Sequence, residues 1–411
     1  MKKNIYIVLF GLLLSLGVAS CDNDTDLLFD ETASQRKEGA VEEYNDALKS
    51  SEQGWLFQYF PEETQMYGGY NYVVKFNQHD SVTVWYEGMT DFTKPETSLY
   101  DLISYGGPVL TFNTYNSLMH EFANPSASEY LAKGGDFEFL IISDENDVIT
   151  LKGIKTGNML RMTKMTEAPE VYLQKINVIS QLFKSSSLEG TIKGAEVGIS
   201  LNDHRLVFNY IENDEIKSEK AAFIPTPTGI SFYEPLTILG VTVQNLAFNV
   251  ETNQLVSTND EIIIDIIKAP IDLTLARWTI FTAYESECSA AFKAVWDEVN
   301  IANDAIWGYT LSPNLDLGRP SDRGIGLRVL FGNYPAIYNL KFGGVLDQPD
   351  YIKIEKEGAG FQWNYTPHFM PLVDIITNNS PYIIEMDNAD DPSIIKLTSV
   401  NNPDVWFVLR K

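Results

Sequence analysis

The sequence predicts a mainly β protein with two antiparallel β-rich domains, each barrel-like or sandwich-like, and a few short helices. Short runs such as 70–76 (YNYVVKF) alternate between apolar and mixed positions, which is the period of a half-buried strand. Glycine, proline, asparagine and aspartate separate these runs and predict turns. A hydrophobic share of 44% over 411 residues supplies enough apolar surface for more than one core.

Residues 1–20 have the pattern of a cleaved secretory signal peptide. Two lysines precede an apolar run at 5–16, and the sequence VASC ends at Cys21. The apolar run is shorter than the ~20 residues that a membrane-spanning helix needs. Its end resembles a bacterial lipobox, which implies that Cys21 becomes the acylated N-terminus. Two acyl chains would then anchor the chain stably in the outer membrane.

Residues 21–30 are expected to form an acidic linker after the lipidated Cys21. The sequence DNDTD at 22–26 places three carboxylates beside the lipid. It resembles the export signal of Bacteroidetes lipoproteins that reach the outer face of the outer membrane. In enterobacterial sorting, Asp22 would instead indicate retention at the inner membrane. We expect a cell-surface location, with the periplasmic face as the alternative.

Residues 31–166 are expected to form an N-terminal helix followed by a β-barrel-like domain. Thr32 and Gln35 have the spacing of a capping box at the start of a helix over 31–50. The strands that follow between 55 and 165 number about eight, the count of a small up-and-down barrel. An antiparallel sandwich fits the same pattern. A further short helix is expected at 115–122.

Residues 167–411 are expected to form a C-terminal β-rich domain that begins with a helix at 168–185. A second helix is expected as an insertion near 285–301, and it includes Cys288. Once Cys21 carries lipid, Cys288 is the remaining cysteine, so no disulfide can form within the chain. The pattern at 137–165 recurs at 381–410, and an internal duplication stays open.

The chain is strongly acidic, with a formal net charge of −26. Such a charge repels phosphate backbones, which argues against nucleic acid as a partner. The sequence has no His-Glu-x-x-His metal motif and no Gly-x-Ser-x-Gly nucleophile turn. No catalytic residue is therefore assigned. A hydrolase of glycans or peptides with scattered acids at its site stays open, because one pair cannot be chosen among 56 acidic residues.

Calcium is the one cofactor that the sequence suggests. Oxygen ligands that suit this ion cluster at Asp387, Asn388, Asp390 and Asp391, although without the spacing of an EF-hand. The alternative is a plain turn, because Asp and Asn side chains bond to nearby backbone groups.

Aromatic residues make up 12% of the chain and predict a surface for an amphipathic ligand such as a sugar. The first candidates are Trp363 and Tyr365, which follow two glycines. The alternative is that the rings simply fill β-sheet cores. Further candidates in loop or turn settings are Tyr67, Tyr70 and Tyr334.

Several stretches together resemble a family of Bacteroidetes outer-membrane lipoproteins of unknown function. They are FDETASQR at 29–36, GWL at 54–56, GPVLTFNTYN at 107–116, TPTGI at 226–230 followed by FY at 232–233, and NP at 402–403. The resemblance covers residues 21–411 and implies an association with nutrient-import systems of the outer membrane. It therefore implies a surface accessory protein that binds a nutrient, such as a glycan, or an importer complex. A structural or assembly lipoprotein is the remaining alternative.

Overall fold

Three antiparallel sheets follow one another along the chain in the computed structural model, which describes residues 33–125 and 132–411. The mainly β class, the antiparallel pairing and the few short helices are thereby confirmed. The predicted signal peptide, Cys21 and the whole acidic linker at 21–30 lie outside the described residues.

The first sheet has nine strands, and its first strand pairs with its last. Trp55, Phe57 and Tyr59 of the first strand are buried and alternate with residues that are less buried, as the sequence period requires. The fourth and fifth strands form the two edges of the sheet. The bounds are β1 (Trp55–Tyr59), β2 (Tyr70–Phe76), β3 (Ser81–Tyr86), β4 (Glu96–Leu99), β5 (Asp101–Ser104), β6 (Pro108–Thr111), β7 (Glu138–Glu145), β8 (Val148–Gly153) and β9 (Met159–Lys164).

The second sheet is a closed eight-stranded barrel in which Ser186 of the first strand lies opposite Lys268 of the last. Asn213 and Asp214 both have positive φ angles, which gives a two-residue hairpin turn that matches the twist of the strands. The bounds are β10 (Ser186–Ile192), β11 (Ala195–Asn202), β12 (Arg205–Glu212), β13 (Glu215–Thr226), β14 (Gly229–Ile238), β15 (Val241–Asn249), β16 (Gln254–Val256) and β17 (Ile262–Lys268).

The third sheet is also a closed eight-stranded barrel, and Thr279 of its first strand lies opposite Arg410 of its last. Closure leaves no free edge on which another chain could add a strand. The bounds are β18 (Arg277–Phe281), β19 (Asn314–Gly318), β20 (Gly326–Phe331), β21 (Tyr334–Val345), β22 (Gln348–Ala359), β23 (Tyr382–Met386), β24 (Ile394–Ser399) and β25 (Trp406–Arg410).

Four α-helices accompany the sheets in the described part of the chain. They are α1 (Ala33–Lys49), α2 (Pro169–Leu182), α3 (Ala290–Trp307) and α4 (Met370–Thr377). The Ser289 hydroxyl caps the first turn of α3, and Gly308 ends this helix in a left-handed conformation. Cys288 therefore precedes the inserted helix instead of lying within it, and it is buried. Residues 115–122 form turns and not the expected short helix.

Each sheet has its own hydrophobic core. In the first sheet the core is largely aromatic, with Phe57 packed edge to face against both Tyr59 and Phe139. Many of the aromatic residues that suggested a ligand surface are therefore core residues.

The region 167–411, treated above as one β-rich domain, contributes two closed barrels. Closure depends on pairing between the first and last strands of each barrel, such as β10 with β17 and β18 with β25. These pairs are distant in sequence, and alternation along one strand carries no information about its partner. The sequence could therefore indicate strands without dividing them between two barrels.

The second barrel contacts both neighbours through backbone as well as side chains. The Gly69 amide of the first sheet donates to the Phe223 carbonyl at 2.9 Å. On the other side, the Ser187 hydroxyl donates to the Gly344 carbonyl of β21 at 2.5 Å. The three sheets therefore meet around one end of the second barrel.

Candidate functional site

A cavity of about 480 Å³ lies where the three sheets meet, and we call it the junction cavity. The first sheet contributes Tyr70, and the second barrel contributes the start of β10 and the turn between β11 and β12. The third barrel contributes parts of β21 and β22 and Arg319, which follows β19. A cleft of this size with a few converging polar groups is the usual setting of a small-molecule site.

Two glycines of β21 allow the second and third barrels to approach closely beside the cavity. A Cβ atom on Gly343 would overlap the backbone of Ser187, and one on Gly344 would overlap the carbonyl of Lys268. Both glycines lie inside a strand. Their role is the close backbone approach that a missing side chain permits.

The serine run at the start of β10 is structural. The Ser186 hydroxyl donates to the Leu182 carbonyl at 2.7 Å, and the Ser185 hydroxyl donates to Asp272. Burial raises the pKa of Asp272, but hydrogen bonds from Ser185 and Thr274 outweigh it, so the net pKa lies below its ordinary value. These hydroxyls are occupied as donors, and the run presents no activated nucleophile.

One group of cavity residues is cationic and consists of Lys184 and Arg319, with Lys268 beside them. The Lys268 ammonium donates to the carbonyls of Gln181 and Lys184 at 2.6 and 3.0 Å. Burial lowers the pKa of Lys268, Asp272 opposes this, and the charge of Lys184 adds to the lowering. Among the described residues, none of these three cations lies within 4.0 Å of a carboxylate oxygen.

A second group of cavity residues is acidic and consists of Asp203, Glu355 and Glu357 around Lys341. The Lys341 ammonium donates to the Leu201 carbonyl and lies 3.9 Å from a carboxylate oxygen of Glu357. Burial raises the pKa of Glu357; Lys341 lowers it in part, and Asp203 raises it further. Glu355 pairs with Lys353 at 2.9 Å, and the two remaining carboxylates, Asp203 and Glu357, with the one lysine Lys341 leave this group net negative.

His204 lines the cavity and is held on both faces. Its ring stacks on Tyr70 with centroids 4.6 Å apart and on Phe223 at 5.4 Å. Its Nδ1 lies 2.6 Å from the Gly69 carbonyl oxygen and 3.4 Å from Oε1 of the buried Glu87. Burial raises the pKa of Glu87, and the charge of His204 and hydrogen bonds from Asn71 oppose this. No sequence pattern marks His204 and Glu87 as a pair, because only packing of the first sheet on the second barrel brings them together.

A second cavity of about 500 Å³ lies beside the first and includes Arg205, Lys220 and Glu234. The Arg205 Nε is buried and has no hydrogen-bond partner among the described residues. The first sheet contributes Thr64 and Gln65 to its lining, but the third barrel contributes nothing. We therefore take the junction cavity as the main candidate site.

The family of the chain follows from its sequence. The model of the family described as "Domain of unknown function (DUF4302)" matches residues 25–250. The chain belongs to the DUF4302 family. The match covers the first sheet and most of the second barrel, so Tyr70, Lys184 and His204 lie inside it. Arg319, Glu357 and the rest of the third barrel lie beyond it.

Comparison of this chain with curated proteins gave no match. Among solved structures, the DNA polymerase sliding clamp of Bacillus subtilis aligns at 12% identity over 91% of this chain and 97% of the clamp, with a TM-score of 0.13. The DNA polymerase III β subunit of Pseudomonas aeruginosa aligns at 9% identity over 90% and 96%, with a TM-score of 0.12. The DNA polymerase III β subunit of Thermotoga maritima aligns at 9% identity over 91% of this chain and 97% of that subunit, with a TM-score of 0.13. These TM-scores are too low to support an argument about fold or function.

The two aromatic residues proposed from the sequence do not form one surface in the DUF4302 chain. Trp363 is only 3% exposed and packs against Tyr338 and Phe369 in the third core. Tyr365 is 74% exposed. The interpretation of Trp363 as a ligand platform is therefore wrong, because both residues lie in one short 3₁₀ turn that directs the first ring inward.

In the acidic loop suggested for calcium, the side-chain oxygens of Asp387 and Asn388 accept hydrogen bonds from nearby backbone amides. Oδ1 of Asp387 accepts from the backbone amides of Asn388, Ser393 and Ile394. Hydrogen bonds, first from the Ser393 hydroxyl, lower the pKa of Asp387 to about 2. Oδ1 of Asn388 accepts from the Asp390 amide, and Asp391 pairs with Lys411 at 2.8 Å. This geometry favours the turn interpretation, and the described residues contain no group of three or more His, Cys, Asp or Glu that could hold a metal.

An exposed aromatic surface lies instead at the end of α3, and we define it as Trp307, Tyr309 and Tyr334. Each side chain is about half exposed. Trp307 and Tyr334 flank the buried ring of Phe331, with centroid distances of 6.4 and 5.7 Å. Tyr334 was a loop candidate from the sequence, whereas Trp307 lies within a helical pattern that gives no sign of exposure.

No helix in the described ranges is long and apolar enough to cross a membrane.

Proposed function

We propose that this protein is a lipid-anchored accessory protein of the outer membrane that binds a small polar nutrient ligand in the junction cavity without converting it. The observation that carries the proposal is the cavity itself. It combines about 480 Å³ of space with charged groups of both signs and the ring of Tyr70. Such a mixture supplies shape and orientation to a ligand.

The proposed location rests on the sequence. The lipobox at Cys21 supports acylation, and the acidic residues at 22–26 support export to the cell surface, with the periplasmic face as the alternative. A protein placed there would meet nutrients before or during import. This is also the setting that the resemblance to nutrient-import lipoproteins implies.

The proposal of binding without turnover rests on how the polar groups of the cavity are used. The hydroxyls of Ser185, Ser186 and Ser187 donate to oxygen acceptors. Nδ1 of His204 faces a backbone carbonyl. Hydrolysis by covalent catalysis needs a nucleophile next to a base. These groups do not form such a pair. The alternative of a surface hydrolase would be supported by product release from a glycan or peptide.

Filling the junction cavity tests the proposed function. Ser200 lines the cavity on an exposed part of β11, so Ser200→Trp should occupy the space without opening a core. The matched control is Ser218→Trp on exposed β13 of the same barrel, away from this lining. The mature protein should be screened by calorimetry against sugars, amino acids and short peptides, with product analysis. We expect binding that Ser200→Trp abolishes and Ser218→Trp preserves. Equal binding by both variants would contradict the proposed site.

A second candidate function is docking to an importer protein, and the exposed aromatic surface favours it. Tyr and Trp are enriched in the energetically dominant parts of protein interfaces. Trp307→Ala combined with Tyr334→Ala should reduce the share of the protein found in a large complex on native gels of gently solubilised outer membranes. Tyr284→Ala, at another exposed tyrosine, is the control. An unchanged complex in the double variant would contradict docking through this surface.

A further inference from the structure

We propose that the junction cavity takes a zwitterionic ligand, namely a short peptide with free termini, whose carboxylate faces Lys184 and Arg319 and whose ammonium faces Asp203 and Glu357. This inference rests on the proposed function, because it names the ligand class of the same site. It follows from the separation of charge within one cavity.

Within the cationic group, the guanidinium of Arg319 is positioned and available to bind a carboxylate. The Arg319 Nε donates to the Thr274 carbonyl at 3.0 Å, which positions the guanidinium while its terminal nitrogens make no ion pair in the described structure. Arginine binds carboxylates through two parallel hydrogen bonds when its terminal nitrogens are available. Asp272, the carboxylate near this group, is already bonded to Ser185 and Thr274.

In a chain with a net charge of −26, this concentration of positive charge is unusual. Lys184, Lys268 and Arg319 come from separate segments, and Lys268 bonds to the carbonyl of Lys184. Asp272 offsets the charge of Lys268 in part, and a further anion would offset the charges of Lys184 and Arg319. A ligand carboxylate would supply that anion.

The acidic group carries an excess of negative charge. Its one lysine, Lys341, directs hydrogen bonds to the Leu201 carbonyl and the Asn202 side chain, and lies 3.9 Å from Glu357. The charge of Asp203 contributes to the raised pKa of Glu357, after burial. A ligand ammonium placed between these two carboxylates would relieve their repulsion. A neutral sugar would relieve neither this repulsion nor that of the cations.

The spacing of the two groups indicates the ligand length. Along β21, the residues from Leu340 to Gly343 line the cavity. Three strand steps at a rise of roughly 3.3 Å each give this side of the cavity a length of about 10 Å. An extended peptide of about three residues spans the same distance. The cavity volume of about 480 Å³ leaves room for side chains of modest size.

Calorimetry with the mature protein and four probes tests this inference. The probes are Ala-Ala-Ala, its N-acetylated form, its C-terminal amide, and maltose as a neutral ligand. Acetylation removes the ammonium and amidation removes the carboxylate, so each should weaken binding at least about tenfold, because a hydrogen bond to a charged group is lost. Maltose should not bind.

Two variants connect each terminus to its partner. Lys184→Gln should weaken binding of Ala-Ala-Ala and its acetylated form but have little further effect on the amide. Glu357→Gln should weaken binding of Ala-Ala-Ala and its amide but have little further effect on the acetylated form. Lys220→Gln, in the second cavity, is the control and should leave all affinities unchanged. Because Lys184, Lys220 and Glu357 are exposed residues, all three variants should fold.

The outcomes separate this inference from the proposed function. Binding of maltose that Ser200→Trp abolishes, with no binding of the tripeptide, would overturn the zwitterionic ligand and leave the cavity as a binding site. Equal affinity for Ala-Ala-Ala and both blocked forms would also overturn it. A failure of the tripeptide and every screened compound to bind would overturn both proposals.

Discussion

Replacing Trp363 and Tyr365 one at a time by alanine should separate a core residue from a surface residue in the same short turn. Trp363 is 3% exposed and contacts the rings of Tyr338 and Phe369, whereas Tyr365 is 74% exposed. Truncation of a buried tryptophan leaves a cavity and costs about 3–5 kcal/mol of unfolding free energy. Substitution of an exposed residue away from such features changes stability by roughly 0.5 kcal/mol or less.

Urea unfolding followed by near-ultraviolet circular dichroism measures this difference. With a denaturant slope of about 3 kcal/mol per molar, Trp363→Ala should lower the midpoint of the third-barrel transition by at least about 1 M. Tyr365→Ala should leave the midpoint nearly unchanged. Equal midpoints for the two variants would refute the burial of Trp363. It would also restore the interpretation that both rings form a ligand surface.

Further predictions concern the barrel contact, pH, metal and the anchor. Gly344→Ala should cost about 1–3 kcal/mol and weaken ligand binding, because a Cβ would push the third barrel from Lys268; unchanged unfolding and affinity would contradict this. Glu87 has a pKa raised by burial, so the folded protein holds this proton more tightly than the unfolded chain does. Its contribution to stability should fall as pH rises above its ordinary pKa of 4.5. Glu87→Gln should therefore make the melting temperature depend less on pH in that range. A metal chelator should leave the melting temperature unchanged, and Asp387→Ala should lower it equally with and without calcium; stabilisation by calcium in the unsubstituted protein alone would revive a metal site. Mass spectrometry of membrane-extracted protein should find acylated Cys21 as the N-terminus, and a retained signal peptide would contradict the anchor.

Strands could be predicted from the sequence because alternation is a local property. β1 follows the alternating pattern closely, since each residue's exposure depends on the face to which it points. β2 departs from it and is buried on both faces at 71–74, because Val73 packs against Leu173 of α2. Helix α2 was expected at 168–185 and occupies Pro169–Leu182. Helical spacing of apolar residues is also a local property, and Leu173, Ile176 and Ile179 form its buried face. Ends of elements depend on capping groups, which explains why α3 begins after Ser289.

The junction cavity could not be predicted, because its residues are distant in sequence. Lys184, Arg319 and Glu357 come from three segments that only packing of closed barrels brings together. The clustered features that did attract attention, such as Asp387 and its neighbours, are explained by local hydrogen bonds. Clustering along a chain is therefore a poor guide to a site that long-range strand pairing assembles.

A crystal structure of the mature protein with Ala-Ala-Ala would show directly where the ligand binds. We expect density for the tripeptide inside the junction cavity, with its carboxylate at Lys184 and Arg319 and its ammonium at Glu357. Density on the exposed aromatic surface with the junction cavity free of the tripeptide, at concentrations that saturate binding in solution, would contradict the account.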